Sequence, residues 1–506
     1  MSRSAFRGIS IQHLWVFAVL VGIFAFVNTH PIRPHDFWWH MAVGREIVRT
    51  GEIPTVDAYS YTMAGQPYPS YKMFWMMEVA LYEIHRVGGA ALVVFVQSLL
   101  VTLTYGLILM LCLRISGSLR IAAFGAFFAA CLGFNDWNVR PQTISFLLGA
   151  LFLTAIYQYR RQPHKGWLAV FPAGMVVWAN SHGSFPIGFA LLGMWLLDEV
   201  VRRLRAGAGA MGGVSFKYVG APLTALALAA FAALINPRGF GIFCYITRLT
   251  GDPVVQHLVP EWAPPSFATL DGTLFYVALL AGTLILAFSP RRPTFFQSVC
   301  FLSFAVLSLK TSRGIVWYGL VMAPVLSYHI SALATDGRLG NGIMHPSVGS
   351  RTLNLAFTGL LVLMALVSLP WFKEIIPLSE RKSGLISVET PVRATAFMLR
   401  ENVPGPVFHA MSFGSYLIWA GHPEYRVFVD GRIELYPPGI WRDYLSISNA
   451  QCGWAELLDH YRIRTLMLSQ LEQPALVDTV NASSDWKVVF EDSYSMVAIR
   501  AGAAFE

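Results

Sequence analysis

The chain has 506 residues, of which 55% are hydrophobic and only 13% charged. A soluble domain carries roughly 25% charged residues, so the composition excludes an ordinary soluble enzyme and indicates a polytopic membrane protein. The net charge of +8 fits basic cytoplasmic loops, and the sequence holds no nucleic-acid module, phosphate loop, HExxH or GxSxG motif.

Arg3 and Arg7 precede the apolar run Ile11–Val27, which is expected to act as an uncleaved anchor. Further apolar runs fall near 89–113, 120–135, 143–157, 167–179, 184–198, 219–235, 273–288, 295–309, 314–330 and 353–370, giving about eleven transmembrane helices. Several are shorter than the ~20 residues a lone span needs. The runs 167–179 and 184–198, which flank NSHG, could instead form a hairpin dipping part-way into the bilayer. With the N-terminus inside, the predicted inner segments hold fifteen basic residues. The short outer loops hold five: Arg140, Arg238, Arg248, Lys310 and Arg313. That asymmetry obeys the positive-inside rule. It places the first loop, 28–88, and everything after 370 outside the cytoplasm. The expected organisation is a membrane module over 1–370 and an extracytoplasmic α/β domain over 371–506.

In the first loop, Asp36 is placed to cap a helix running to about Thr50, with Gly51 as its stop and Pro54 beyond. Trp39, Val43 and Ile47 give that helix an apolar face suited to the membrane surface. A second helix is expected over Met73–Val87, ending at Gly88-Gly89. The tail contains VFHAM, YRVFVDGR, IRTLML and WKVVFEDS, which read as short strands, and WAELLDHY, which reads as a helix. The five cysteines are scattered without CxxC spacing, so neither a disulfide framework nor a metal site is expected.

Several polar residues could carry chemistry. Asp36 and His40 lie four apart and share a helix face; the carboxylate could cap the helix, act as a general base, or do both. Glu78, within the apolar run MFWMMEVALY, must be paired, solvated or functional; Lys72, Tyr82 and Arg86 are its nearby partners in sequence. Arg140 in NDWNVRPQ, and Asn180 and His182 in WANSHGSF, occupy predicted outer edges. Lys310 and Arg313 in LKTSRG break the inside bias between two apolar runs. They could clamp a phosphate or reach for lipid headgroups. Asp430 and Arg432 in VFVDGR suit a turn with an internal ion pair.

The order DFWWHMAVGREIVRTGEIPTVDAYSYT, WMMEVALYEIHRVGG, VRPQTISFLLG, WANSHGSFPIG, NPRGFGIF and LKTSRG resembles bacterial members of the C-type glycosyltransferase (GT-C) superfamily. Its relatives include protein O-mannosyltransferases and aminoarabinose transferases. The likeness covers about 11–330, and the tail resembles the outer domain often attached to such proteins. The resemblance implies a bacterial inner-membrane enzyme, a polyprenyl-phosphate sugar donor held among membrane lipid, and no cofactor. It also implies transfer on the outer face to a glycan, lipid or protein, with an essential acid in the first outer loop, best matched by Asp36. Phe37 follows Asp36 where many relatives carry a second acid, which disfavours a two-acid or metal-binding version. The chemistry expected is single displacement with inversion: Asp36 as base, Lys310, Arg313 and Arg140 at the donor phosphate, and His40, Glu78, Asn180 and His182 in the cavity. A transporter or lipid-handling protein and a non-catalytic scaffold are the alternative classes. The first should show two similar halves with broken spans, a symmetry the sequence lacks.

Overall fold

The computed structural model describes residues 9–205, 217–338, 349–373, 379, 382 and 384–502. Arg3 and Arg7 of the expected anchor lie outside them. Each of the eleven predicted apolar runs falls on a helix. Among the described residues, five helices are long and apolar enough to cross a membrane: Ile11–Thr29, Tyr71–Ser116, Leu119–Asp136, Leu270–Phe288 and Ser312–Thr335. Four further apolar helices have 10–17 residues. Contacts divide the chain into two units that are not the two halves of the sequence. The first comprises 1–30, 94–242 and 259–376; the second comprises 31–93, 243–258 and 377–506.

In the first unit, helix Ile315–Thr335 is buried over nearly its whole length. It packs on helix Leu119–Gly133, where Gly319 comes so near that an added Cβ would sit 2.9 Å from Leu132 Cβ. Small residues at such crossings let helix backbones approach, which is how packing is gained where lipid already solvates apolar surface. Helices Ile11–Thr29, Leu270–Phe288 and Arg351–Val367 instead turn large apolar side chains outward, with Trp15, Leu280 and Leu360 all more than half exposed. That outward surface suits hydrocarbon.

The second unit joins the first loop to the tail. Helix Phe37–Thr50 stops at Gly51, whose φ of 75° is a conformation glycine adopts cheaply and whose N–H bonds the Ile47 carbonyl. The Trp39, Val43 and Ile47 face, expected on the membrane surface, is buried by protein. Helix Met411–Ala420 packs against this helix. The start of helix Tyr71–Ser116 does so too, because a Cβ on Gly44 would collide with the Glu78 carbonyl. The second predicted helix begins at Tyr71 and ends, as expected, at Gly88-Gly89, where non-helical dihedrals, with Gly89 at φ 62°, separate it from the helix that continues to Ser116.

Strands β1 (Val407–His409), β2 (Thr465–Ser469), β3 (Trp486–Glu491) and β4 (Ser495–Arg500) form one sheet in the order β1-β2-β4-β3. β1 runs parallel to β2, and β4 is antiparallel to both its neighbours. YRVFVDGR, expected as a strand, joins no ladder. Its backbone is satisfied elsewhere in the unit: Val427 N–H donates to Tyr59 O, Tyr61 N–H to Val427 O, and the Thr62 hydroxyl to Phe428 O. Phe428 N–H donates to His409 Nε2 at 2.9 Å, while His409 Nδ1 lies 2.9 Å from the Ala410 carbonyl. Both bonds suit a neutral ring. Burial pushes this imidazole down to about 4.

The centre of the second unit is Arg432, fully buried. Its Nε and Nη2 donate to Asp430 at 2.9 and 2.6 Å, and Nη1 donates to Asp57 Oδ1 at 2.5 Å and to the Tyr71 hydroxyl at 2.6 Å. The Tyr436 hydroxyl donates to Asp430 Oδ2 at 2.5 Å. Burial opposes ionisation of Asp430, but Arg432 and the Tyr436 hydroxyl outweigh it and hold this carboxyl below its ordinary value. The expected internal Asp–Arg turn contact is therefore present, and it extends into the first loop. Arg432→Met should leave two buried carboxylates without their cation and cost about 3–5 kcal/mol. Near-UV circular dichroism melts of the full chain in detergent would measure this, and an unshifted transition would overturn it.

Candidate functional site

Two clusters contain most of the residues singled out by sequence, one in each unit. In the second unit, Asp36 immediately precedes helix Phe37–Thr50, yet its side chain makes no capping hydrogen bond. The carboxylate lies beside Gly431, where an added Cβ would be 2.5 Å from Asp36 Oδ1 and 3.6 Å from Trp39 Nε1. A side chain at this point of VFVDGR would displace the Asp36 carboxylate from where it lies. One helical turn beyond Asp36, His40 Nδ1 lies 3.0 Å from Glu78 Oε1, both side chains being buried. Glu78 is thus paired across two helices, and not with Lys72, Tyr82 or Arg86; Arg86 pairs with Glu83 instead. The second Glu78 oxygen has no hydrogen-bond partner. Nearby in the chain, Glu434 Oε1 accepts from Tyr68, Ser70 and Tyr245 hydroxyls at 2.9, 2.7 and 3.2 Å.

In the first unit, Arg140 and Arg313 converge on a residue that sequence reasoning missed. Arg140 Nη1 lies 2.6 Å from Glu261 Oε1, and Arg313 Nε and Nη2 lie 2.9 and 2.8 Å from Glu261 Oε2. Each carboxylate oxygen therefore takes one guanidinium, and Arg313 also lies 5.2 Å from the Trp262 ring centroid. Burial opposes ionisation of Glu261, but the two arginines outweigh it and hold the carboxyl down at about 2. The available signal was an acid in VPEWAPP, within a predicted outer segment where two cations needed a counter-charge. Lys310 ends helix Phe295–Lys310 with its side chain exposed and is not part of this triad.

Asn180 and His182 follow helix Lys165–Ala179. The Asn180 amide donates to the Val176 and Ile235 carbonyls at 2.8 and 2.7 Å, and Asn236 returns bonds to Ala179 O and Asn180 Oδ1. This is a clasp between two loops. His182 Nδ1 accepts the Ser184 N–H at 3.2 Å and lies 2.9 Å from the Ser184 hydroxyl. Burial, then repulsion from Arg313 and Arg140, pushes its imidazole down to about 3. Among the described residues, no group of three or more His, Cys, Asp or Glu side chains gathers to hold a metal ion.

An apolar groove of about 970 Å³ runs along helix Leu119–Gly133, lined by Trp15, Gly22, Phe26, Phe127 and Leu274, with Arg120 and Trp137 also in its wall. The helix spans about 21 Å. Phe134 and Trp137 at one end of the groove stand in the loop that carries Arg140.

The depressed His182 value fixes a sign. Between the ordinary value of 6.5 and about 3, the unfolded chain binds a proton that the folded chain refuses, so this contribution is complete above 6.5 and is lost as pH falls. Thermal melts from neutral pH into this window should steepen less for His182→Asn than for the wild type. Identical slopes would show that the imidazole does not report this environment.

No protein-family model matches the sequence, and no curated protein does. Among solved structures, the fold is similar to the archaeal oligosaccharyltransferase AglB from Archaeoglobus fulgidus, in complex with an inhibitory peptide and a dolichol-phosphate. The TM-score is 0.53 at 11% identity, covering 96% of this chain and 74% of that one. It is similar to ArnT from Cupriavidus metallidurans bound to undecaprenyl phosphate, with a TM-score of 0.50 at 15% identity and coverages of 97% and 98%. Arabinofuranosyltransferase AftD from Mycobacteria gives 0.55 at 12% identity, covering 97% of this chain and 42% of that one. At these identities the likeness is one of fold: this chain shares its overall architecture with those solved structures.

Proposed function

We propose that the protein is a membrane glycosyltransferase, moving a sugar from a polyprenyl-phosphate donor to an acceptor hydroxyl on the outer face with inversion. Asp36 is the general base. The observation that carries this reading is that the Asp36 carboxylate lies at a helix start against Gly431, one turn before the buried His40–Glu78 pair. A carboxylate so positioned can take the acceptor proton, an effect worth roughly 10²–10⁴-fold in rate. The acceptor oxygen attacks the anomeric carbon, the bond to the phosphate oxygen breaks, and the proton passes to Asp36. The His40–Glu78 pair fixes the helix face behind the base.

The leaving polyprenyl phosphate needs cations. Arg140 and Arg313, pre-oriented by Glu261, are assigned to it, with Lys310 at the rim. Fixed charges of this kind stabilise a departing anion without reorganising during the reaction. The groove ending beside the Arg140 loop suits an isoprenoid chain. Two proteins of similar fold were solved with dolichol-phosphate and undecaprenyl phosphate bound, which supports a lipid-phosphate donor. His182, neutral at physiological pH, adds a polar group without adding charge.

The reading places the chain in a bacterial inner membrane, with the N-terminus cytoplasmic and residues 371–506 outside. It treats residues 1–370 as a membrane module of eleven spans, the acceptor being a glycan, lipid or protein. Its support is the charge bias of the loops. Reporter fusions after Glu506 and within 202–217 should report opposite compartments; matching compartments would sink the topology.

Asp36→Asn separates the two roles of the acid. With a general base lost, the variant should melt like the wild type, bind donor and turn over at least about 10²-fold more slowly. A fully active variant would falsify the assignment. Arg313→Ala should weaken binding of a polyprenyl-phosphate sugar more than it lowers the melting temperature. Donor binding without any transfer, in the wild type, would favour lipid handling instead.

A further inference from the structure

The first unit holds a second cavity, about 350 Å³, that has no part in the chemistry proposed above. Four guanidiniums line it, those of Arg114, Arg160, Arg161 and Arg202, together with Tyr157 and the start of helix Phe295–Lys310. Asp198, fully buried, organises half of this charge. Its Oδ2 lies 2.5 Å from Arg160 Nη2 and 2.9 Å from Arg202 Nε, and its Oδ1 accepts the Phe296 N–H at 3.0 Å. Arg160 also lies 3.7 Å from Glu199 and 5.1 Å from the Phe296 ring centroid. Two arginines are therefore held in place by two carboxylates. Arg114 and Arg161 have no carboxylate partner among the described residues; Arg161 donates to the Arg114 carbonyl at 3.5 Å, and Arg114 lies against Met110 sulfur.

Two further features ask for an anion. The positive end of a 16-residue helix, capped by Thr294, contributes Thr294, Phe296 and Gln297 to the wall, and such ends favour negative charge. The Tyr157 hydroxyl, also in the wall, is buried without a hydrogen-bond partner. A buried donor left unmade is costly, and a ligand oxygen would satisfy it. The remaining wall is apolar: Leu111, Ile115 and Pro324. Leu111, Arg114 and Ile115 lie in the last turns of candidate span Tyr71–Ser116, and the end of a span is where a lipid headgroup would be met.

We infer that this cavity binds the phosphodiester headgroup of an anionic membrane lipid. Arg114 and Arg161 neutralise the phosphate, Tyr157 donates to one of its oxygens, and the apolar wall receives the first methylenes of an acyl chain. Basic pockets between membrane helices are suited to this task. A guanidinium offers the planar pair of donors that a phosphate accepts.

Full-length protein in phosphatidylcholine nanodiscs doped with phosphatidylglycerol provides the test, with retained lipid counted by native mass spectrometry. The wild type should retain phosphatidylglycerol in preference to phosphatidylcholine. The R114Q/R161Q double variant should lose roughly 30-fold in that preference, at about one surface cation's worth per arginine, with an unchanged melting temperature. Tyr157→Phe, which removes only a hydroxyl, should lower retention while keeping the fold. Equal retention of the two lipids, or undiminished preference in the double variant, would overturn the proposal. Millimolar inorganic phosphate should leave the bound lipid in place. If it strips the lipid and alone stabilises the protein in phosphatidylcholine, the cavity is a soluble-phosphate site and the lipid assignment fails.

Discussion

The second unit depends on one buried cation. Taking a guanidinium out of water costs several kcal/mol even after relaxation, and Arg432 survives there because two carboxylates and the Tyr71 hydroxyl accept from it, with the Tyr436 hydroxyl bracing Asp430. Meeting that requirement fixes much else. Asp57 must present a carboxylate, so its turn is tied down by the Tyr59 and Ser60 N–H groups. Helix Tyr71–Ser116 must begin at the residue that supplies a hydroxyl. Asp430 and Arg432 must bracket Gly431, which brings the loop backbone against Asp36. The position of the acid therefore follows from satisfying a neighbouring charge.

The first unit shows the same economy at two places. Arg140 and Arg313, separated by more than a third of the chain, share Glu261. Arg160 and Arg202 share Asp198. In each case one carboxylate fixes the geometry of two arginines. Glu261 leaves its pair one positive charge in excess, whereas Glu199 also lies near Arg160, so the excess charge of the second cavity is that of Arg114 and Arg161. Such a cluster is stable without a ligand and still attracts an anion. A one-to-one pair would lack the second property, and two unpaired arginines would lack the first.

What could be read from the sequence divides by range. The apolar runs, the helix after Asp36 and its stop at Gly51 rest on local composition and dihedral preference, and the structure has them. The pairing of Glu78 did not follow, because sequence neighbours such as Lys72 and Arg86 compete on paper while His40 approaches across a helix crossing set by Gly44. Glu261 was missed for the same reason: its predicted outer segment marked it as a candidate counter-charge, but nothing within PEWAPP singles out Arg140, 121 residues away. YRVFVDGR looked like a strand because its apolar residues are buried and extended. Its hydrogen bonds go to loop residues 59–62 in place of a ladder, and no periodicity distinguishes the two. β4 was missed although SMVAIR is the strand that joins both of its neighbours, because a wholly buried run lacks alternation.

The Asp57–Arg432 bond spans 375 positions, and synthesis runs in one direction. At about 5–20 residues per second, Asp57 emerges roughly 20 to 75 s before its partner exists. During that interval the first loop has its apolar helix face and its acid but not Arg432, and the residues that will bury them have not been made. Nascent loop 31–93 must wait, exposed or guarded by another protein, while the intervening helices are inserted. A ribosome that stalls before residue 432 leaves the first loop without the residues that bury it, the kind of product that a quality-control protease can recognise by its unburied tryptophans.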